Sequence, residues 1–218
     1  MKKTLFTFVV LFVVAFGAKA QMHYDYDYLG NKYEIGWHTF FYDSVLYRTL
    51  TDSTVEVIGG SGAYQPTWSS NILTIPSTVY DSAGTAYTVT RLGIQSLENY
   101  LGIDSVELPE TLLEIGEDAF HYTDIAHITI PQGVRRIGSW AFSATRLTGT
   151  VVLPDSLEYI GPGAFAGQNT AGRLGSTALY ISPSAPRFCT VEGVLYNKDT
   201  TVVLMATRGI GNDITMPQ

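Results

Sequence analysis

Cysteine and positive charge are both scarce in this chain of 218 residues. Cys189 is the only cysteine, so no disulfide can form within the chain and its stability has to come from buried apolar groups. We interpret Cys189 as a small buried apolar residue, with a reactive thiol or an intermolecular bridge as the alternatives. The 13 basic residues are outnumbered by 20 acidic ones. This balance disfavours nucleic acid and anionic membrane surfaces as partners, because both attract proteins through Lys and Arg.

The chain has one long apolar run, at residues 4–16 near the N-terminus. This run is shorter than the ~20 residues of a membrane-spanning helix. It follows Lys2 and Lys3 and precedes Ala18-Lys19-Ala20, which is the pattern of a signal peptide. We predict a signal peptide over residues 1–20, cleaved after Ala20, and no membrane span in the exported chain; an uncleaved N-terminal anchor is the alternative. Cleavage removes three of the 13 basic residues and none of the 20 acidic ones, which leaves 10 against 20 and a charge of −10.

The residue patterns of catalytic and metal sites are missing as well. His121 and His127 do not have the spacing of a zinc site, and Gly60-Ser61-Gly62 lacks the form of a nucleophile elbow. Gly209-Ile-Gly211 lacks the third glycine of a dinucleotide-binding turn. We therefore predict no enzyme activity, no cofactor and no metal.

The most informative feature that is present is a repeat. Three segments have nearly the same sequence and share Ile-Gly and Ala-Phe pairs at the same positions, namely residues 106–120, 128–142 and 151–165. The Ile-Gly pairs begin at Ile115, Ile137 and Ile160, which are 22 and 23 residues apart. A fixed period in this range is typical of a solenoid, in which each unit packs only on its neighbours.

Within each unit the apolar residues recur in fixed columns, and the alternation of Val106 and Leu108 predicts a strand. Pro109 and its counterparts end that strand, because proline has no N–H to donate to a ladder. Gly116 and its counterparts suit positions where a side chain would crowd the backbone. Ala119 and Phe120 are predicted to form a short helical turn, from which the phenylalanine points inward.

The first and last residues of the repeat array divide the chain into segments. We predict five segments: a signal peptide over 1–20, an N-terminal leader and β-hairpin cap over 21–70, a repeat array of one degenerate and three clear units over 71–177, a β-hairpin cap or interruption of the array over 178–213, and the start of a further, truncated repeat over 214–218. Ile214-Thr-Met-Pro217 has the same form as Ile128-Thr-Ile-Pro131, which is the reason for the last assignment.

The repeat resembles that of the BspA-like leucine-rich repeat proteins, a group of bacterial surface and secreted proteins. Their unit has the form I-x-I-P-x-x-V-x-x-I-G-x-x-A-F. Residues 128–142 match it at every fixed position, and the other two segments differ only by exchanges among Val, Leu and Ile. The resemblance implies a leucine-rich repeat solenoid of short β-strands and short helical turns, flanked by β-hairpin caps. It also implies binding or adhesion at the cell surface, with an extracellular protein or glycan as the partner.

The positions between the core columns are the candidates for partner contact, because their chemistry varies while the core does not. The candidate contact residues are Glu114, His127, Arg135, Arg136, Trp140 and Tyr159. Trp140 stands where its neighbours have Asp118 and Gly163, and an exposed tryptophan is typical of a contact hot spot; a core or cap tryptophan is the alternative. Two other functions remain open: a structural spacer within a longer surface protein, and a secreted hydrolase that uses Cys189 with a histidine.

Overall fold

The fold is built of short strands joined by turns. The structure is a computed structural model that describes residues 23–26, 32–35, 38–43, 45–59, 71–166, 177–191, 194–199 and 203–206. The predicted signal peptide and the predicted further repeat at 214–218 lie outside the described residues. Throughout the described ranges the elements are strands, with no helix among them. In chain order the strands are β1 His23–Tyr26, β2 Lys32–Ile35, β3 Thr39–Tyr42, β4 Val45–Thr49, β5 Thr54–Val57, β6 Ile72–Thr74, β7 Thr78–Tyr80, β8 Ala86–Leu92, β9 Ser105–Glu107, β10 Glu114–Ile115, β11 His127–Ile128, β12 Arg136–Ile137, β13 Gly149–Leu153, β14 Tyr159–Ile160, β15 Thr177–Ile181, β16 Phe188–Val191, β17 Val194–Asn197 and β18 Val203–Ala206.

Each repeat contributes two strands, and the second strands form the larger sheet. It has eight strands, in the order β14-β12-β10-β8-β5-β4-β3, with β7 paired to β8 at the side. The strands β5, β8, β10, β12 and β14 run parallel. Ile115 pairs with both Leu92 and Ile137, and Ile137 also pairs with Ile160. The isoleucines of the Ile-Gly pairs therefore lie opposite one another on neighbouring strands, and their period in the sequence gives the register of this sheet.

The first strands of the repeats form two smaller parallel ladders, β6-β9-β11 and β13-β15. Within the described residues no ladder joins β11 to β13. The chain has one residue more between Phe142 and Val151 than between Phe120 and Ile128, and Gly149 absorbs it with a φ of +77°, a conformation that glycine adopts at little cost. The first strands are divided at this point, because Ser105 pairs with His127 while Thr150 pairs with Ala178.

The turns around the Ala-Phe pairs are not helical, so the predicted short helical turns are wrong. Asp118 and Tyr122 both have left-handed backbone, with φ of +53° and +56°, and left-handed residues interrupt a right-handed helix. The N–H groups of Asp118, Phe120 and Tyr122 donate to carbonyls of the next repeat, at Ser139, Ala141 and Ser143. Backbone groups that a helix would use internally therefore link neighbouring repeats instead.

The core is a stack of identical residue types. Phe120, Phe142 and Phe165 are buried, with ring centroids 5.2 Å and 4.9 Å apart and planes tilted by 11° and 14°. Beside them the backbones of consecutive repeats approach so closely that a Cβ on Gly138 would lie 2.6 Å from the carbonyl carbon of Gly116. The phenylalanine column fills the interior, and the glycine column allows the repeats to stack at this spacing.

Both flanks of the array are antiparallel and contain one more strand than the hairpins read from the sequence. At the N-terminal flank β3, β4 and β5 form a meander whose last strand joins the repeats by pairing with β8. At the C-terminal flank β16, β17 and β18 form a separate antiparallel sheet.

Tyr47 of β4 is fully buried, and this burial raises the pKa of its hydroxyl above the ordinary range.

Candidate interaction surface

A row of alternating charges crosses the larger sheet, with one residue on each successive strand. Arg48 of β4, Glu56 of β5, Arg91 of β8, Glu114 of β10, Arg136 of β12 and Tyr159 of β14 are each the register partner of the next. We name these six residues the charge row. Opposite charges directly across two strands stabilise the pairing, so the row supports the register that the apolar columns set.

The charge row is buried at its N-terminal end. Glu56 is 1% exposed, accepts a 2.7 Å hydrogen bond from Nε of Arg48, and lies 3.5 Å from Nε of Arg91. Arg91 lies at the same distance from Glu114 on its other side. A carboxylate that is buried away from water needs such partners, since an unpaired buried charge is strongly unfavourable. This end of the row is therefore structural.

The row opens to solvent at its C-terminal end. Nε of Arg136 lies 3.3 Å from Glu114, and its guanidinium lies 4.1 Å from the centroid of the Tyr159 ring. Tyr159 is exposed, and the adjacent Arg135 forms a 3.5 Å ion pair with Glu158. A cation over an aromatic face is held in one orientation. Arg136 and Tyr159 thus present a pre-positioned polar and aromatic surface.

Four of the six predicted contact residues lie together here, and two do not. Glu114, Arg136 and Tyr159 belong to the charge row, and Arg135 adjoins it. His127 is exposed on β11, in the other set of strands, where it pairs with Ser105. Trp140 lies in the turn that follows β12. The two strands of a repeat carry different exposed rows, which the linear spacing of the repeat does not reveal.

Trp140 is exposed, and its conformation is unusual for a large side chain. It is 46% accessible and has left-handed backbone with a φ of +57°, which is uncommon for bulky residues. A Cβ placed on Gly163 of the next repeat would lie 2.7 Å from the indole ring. The ring therefore rests against a bare glycine backbone. Of the two alternatives for this residue, the structure shows the exposed one.

Three members of the charge row were not among the predicted contact residues. Arg91 lies 23 residues before Glu114, the same interval as Leu92 to Ile115, so the repeat period was a usable signal for it. Arg48 and Glu56 lie in the N-terminal meander, outside the period. A register shift in the pairing of β5 with β8 between Val55 and Glu56 aligns Glu56 with Arg91, and the sequence contains no signal for that shift.

Cys189 and the histidines are residues whose chemistry suits a catalytic or metal site. The cavity beside Cys189, of about 440 Å³, is lined by Thr150, Tyr180, Thr190 and Lys198 among others, and no histidine or carboxylate is among its lining residues. His121 lies 3.5 Å from both Glu98 and Asp118, yet within the described ranges no cluster of three or more such side chains could hold a metal ion. In the same part of the chain no helix has the length and apolar character needed to cross a bilayer.

Short parallel strands that stack repeat on repeat, with fixed apolar columns inside and variable rows outside, define a leucine-rich repeat protein. The family model of the BspA type leucine rich repeat region matches residues 81–178 in six copies. The sequence analysis predicts four units in its repeat array, one degenerate and three clear. Residues 81–178 are therefore similar to a BspA type leucine rich repeat region. A search of curated proteins finds no match to it.

The comparison with solved structures finds similarity to bacterial leucine-rich repeat proteins. The pneumococcal vaccine antigen PcpA is similar with a TM-score of 0.53 and 20% identity, over 78% of this chain and 56% of PcpA. A leucine-rich repeat protein from Bacteroides capillosus has a TM-score of 0.47 and 18% identity, over 66% of this chain and 98% of its own. One from T. pallidum has a TM-score of 0.44 and 21% identity, over 65% of this chain and 72% of its own. This chain thus spans little more than half of PcpA.

Proposed function

We propose that this chain is an exported leucine-rich repeat protein, with its repeats arranged as a solenoid, that binds an extracellular protein or glycan through its exposed rows. The observation that carries the proposal is the alignment of Glu114, Arg136 and Tyr159 on three consecutive repeats. Identical core residues hold these three different side chains in register. A repeat protein presents a continuous surface for recognition in this way.

The character of the exposed residues supports binding. Arg, Tyr and Trp are the residue types most enriched among interface hot spots. This part of the chain contains one of each: Arg136 on β12, Trp140 in the turn after β12, and Tyr159 on β14. Arg136 is held by Glu114 and Tyr159, so less conformational freedom is lost when it meets a partner.

A location at or beyond the cell surface is part of the same proposal. It rests on the predicted signal peptide at residues 1–20 and on the resemblance to a family of surface and secreted proteins. PcpA is described as a vaccine antigen, but at 20% identity its likeness supports the fold alone.

A pull-down of extracellular proteins and glycans with the mature chain tests the binding role. We expect the double variant Trp140→Ala/Arg136→Ala to lose most of the partner that the unmodified chain retains. The matched control is Tyr80→Ala/Arg146→Ala, because Tyr80 is 47% exposed against 46% for Trp140, and the side chains of Arg146 and Arg136 are 37% and 33% exposed. Equal retention by both double variants would remove Trp140 and Arg136 from the contact surface. No partner for the unmodified chain would favour the spacer role.

A further inference from the structure

Two exposed aromatic side chains lie in the turns of consecutive repeats, apart from the strands that carry the charge row. Trp140 is 46% accessible and Tyr122 is 50% accessible. The N–H of Tyr122 donates to the carbonyl of Ser143 (3.1 Å), and the N–H of Ser143 donates to the carbonyl of Trp140 (2.9 Å). Two backbone hydrogen bonds thus hold the two aromatic residues beside each other on the array.

Each aromatic residue is followed, at the equivalent position of the next repeat, by a residue too small to cover it. Gly163 lies 23 residues after Trp140, and Ala144 lies 22 residues after Tyr122. All four have left-handed backbone, with φ between +55° and +68°, so the positions are equivalent in conformation as well. Left-handed backbone is uncommon for bulky residues, and sparsely populated conformations of this kind are concentrated at functional sites.

Each ring is supported on one side and open on the other. A Cβ on Gly163 would lie 2.7 to 2.9 Å from three atoms of the six-membered ring of Trp140, so this glycine underlies one face of the indole. The imidazole of His121 lies 4.3 Å from the Tyr122 ring and is tilted by 46°. Since about half of each aromatic residue is still accessible, the exposed part is the remaining face and edge. Rings supported in this way lose little freedom on binding.

Hydrogen-bond acceptors adjoin the rings, and arginine and lysine do not. Nδ1 of His121 lies 3.5 Å from one carboxylate oxygen of Glu98 and from one of Asp118, and both carboxylate side chains are partly exposed. A carboxylate accepts several hydrogen bonds, so both can accept more from a ligand. Lys and Arg are absent from the four successive turns at residues 93–100, 116–123, 138–145 and 161–166. An anionic ligand is therefore disfavoured here, and a neutral ligand rich in hydroxyl groups fits.

We propose that Glu98, Asp118, His121, Tyr122 and Trp140, which we call the turn surface, bind a neutral oligosaccharide with sugar rings on the open faces of the two aromatic residues. The inference rests on the proposed function and assigns its partner to the glycans. The negative face of an aromatic ring attracts the C–H groups on the flat side of a sugar ring. Hydroxyl groups at the edge of the sugar donate to the carboxylates.

The same residues suit two other ligand classes less well. The buried centre of a protein interface is depleted in charged residues, whereas two carboxylates lie beside these rings. An aromatic cage for an organic cation places ring faces around its ligand, whereas both rings here are half accessible.

Isothermal titration calorimetry of the mature chain with neutral hexasaccharides of glucose, mannose and N-acetylglucosamine tests this proposal, with a galacturonate hexasaccharide as the anionic control. We expect at least one neutral hexasaccharide to bind about tenfold or more tightly than the galacturonate, which the carboxylates repel. Trp140→Ala and Tyr122→Ala should each weaken that binding by about tenfold, the size of a hot-spot effect. Trp140→Phe, which keeps an aromatic face, should retain more of the affinity than Trp140→Ala. Tyr180→Ala is the matched control, because Tyr180 is 46% accessible on β15, and it should leave the affinity unchanged.

Gly163 tests whether the orientation of the indole matters. Gly163→Ala should weaken binding, because the added Cβ has to displace the ring of Trp140. Gly149→Ala is the control, since Gly149 also has left-handed backbone, with a φ of +77°, but a Cβ there meets nothing within 4 Å. Unfolding in urea checks that the two variants are equally stable. Equal affinity of the two variants would overturn the placement of a sugar on the indole face.

Failure of all three neutral hexasaccharides to bind, or tighter binding of the galacturonate, would overturn the proposal. An equal loss in Trp140→Ala and Tyr180→Ala would do the same, and displacement of the sugar by tetramethylammonium would identify a cation site instead. If the double variant Trp140→Ala/Arg136→Ala still loses a partner in the pull-down while no hexasaccharide binds, the proposed function stands and this inference alone is lost.

Discussion

Phe142 lies between the rings of Phe120 and Phe165, and all three side chains are buried. At the scale of the residue it is shared by three repeats, because its ring packs against the repeat on either side. The neighbouring glycines have the opposite role. Gly116, Gly138 and Gly161 leave space at positions where any side chain would meet the backbone of the preceding repeat. One column fills the interior, and the other sets how closely the repeats approach.

We expect Phe142→Ala to lower the free energy of unfolding by about 3–5 kcal/mol, the range for removing a buried phenylalanine. Denaturant unfolding followed by circular dichroism measures this change. Val152→Ala is the control, because Val152 is exposed and its substitution should change stability by no more than about 0.5 kcal/mol. A loss below about 1 kcal/mol for Phe142→Ala would show that the phenylalanine column is not part of the core.

At the scale of the element, the second strands β10, β12 and β14 are only two residues long, yet they extend the eight-stranded sheet from β8 to its end at β14. Two residues supply few ladder hydrogen bonds, so other interactions have to fix the register. The charge row supplies one such interaction on every strand from β4 to β14. The turns supply another, since alternate N–H groups around the Ala-Phe pairs at Phe120 and Phe142 donate to the next repeat.

Glu56 is the member of the charge row whose loss has the largest expected effect. We expect Glu56→Gln to lower the free energy of unfolding by about 3 kcal/mol, because it leaves the partly buried Arg48 and the buried Arg91 without their shared carboxylate. Glu110→Gln is the matched control, since Glu110 is exposed in a turn. Unfolding in urea compares the two variants. Equal stability of Glu56→Gln and Glu110→Gln would show that the ion pairs of Glu56 contribute no net stability.

At the scale of the whole molecule, the protein combines a repeat core with an excess of acidic over basic residues. The acidic balance becomes −10 if residues 1–20 are removed, since these contain three basic and no acidic residues. A net charge of this size keeps a protein soluble and repels other acidic surfaces.

The export prediction belongs to this scale as well. We expect the protein recovered outside the cytoplasm of an expressing bacterium to begin at Gln21, because Ala18 and Ala20 present small side chains to a signal peptidase. Intact mass spectrometry of that protein measures the cleavage point. Replacing Ala18 and Ala20 with a bulky residue should leave the precursor uncleaved, whereas recovery of the unmodified protein with residues 1–20 still attached would contradict the assignment.

The sequence by itself determined the columns of the core and the register of the repeats. Ile115, Ile137 and Ile160 recur at the repeat period, and the structure pairs them on adjacent strands, because a constant period brings equivalent residues side by side. The exposed rows within the period were predictable for the same reason, including Glu114, Arg136 and Tyr159.

The tertiary structure alone decided the conformation of the turns and the extent of the charge row. The Ala-Phe segments have apolar spacing compatible with a helical turn, and only the neighbouring repeat, which accepts their N–H groups, shows that they are not helical. Glu56 meets Arg91 through an irregularity in the pairing of two strands. Such pairing depends on which segments meet in space. It therefore cannot be predicted from the sequence for residues that lie outside the repeat period.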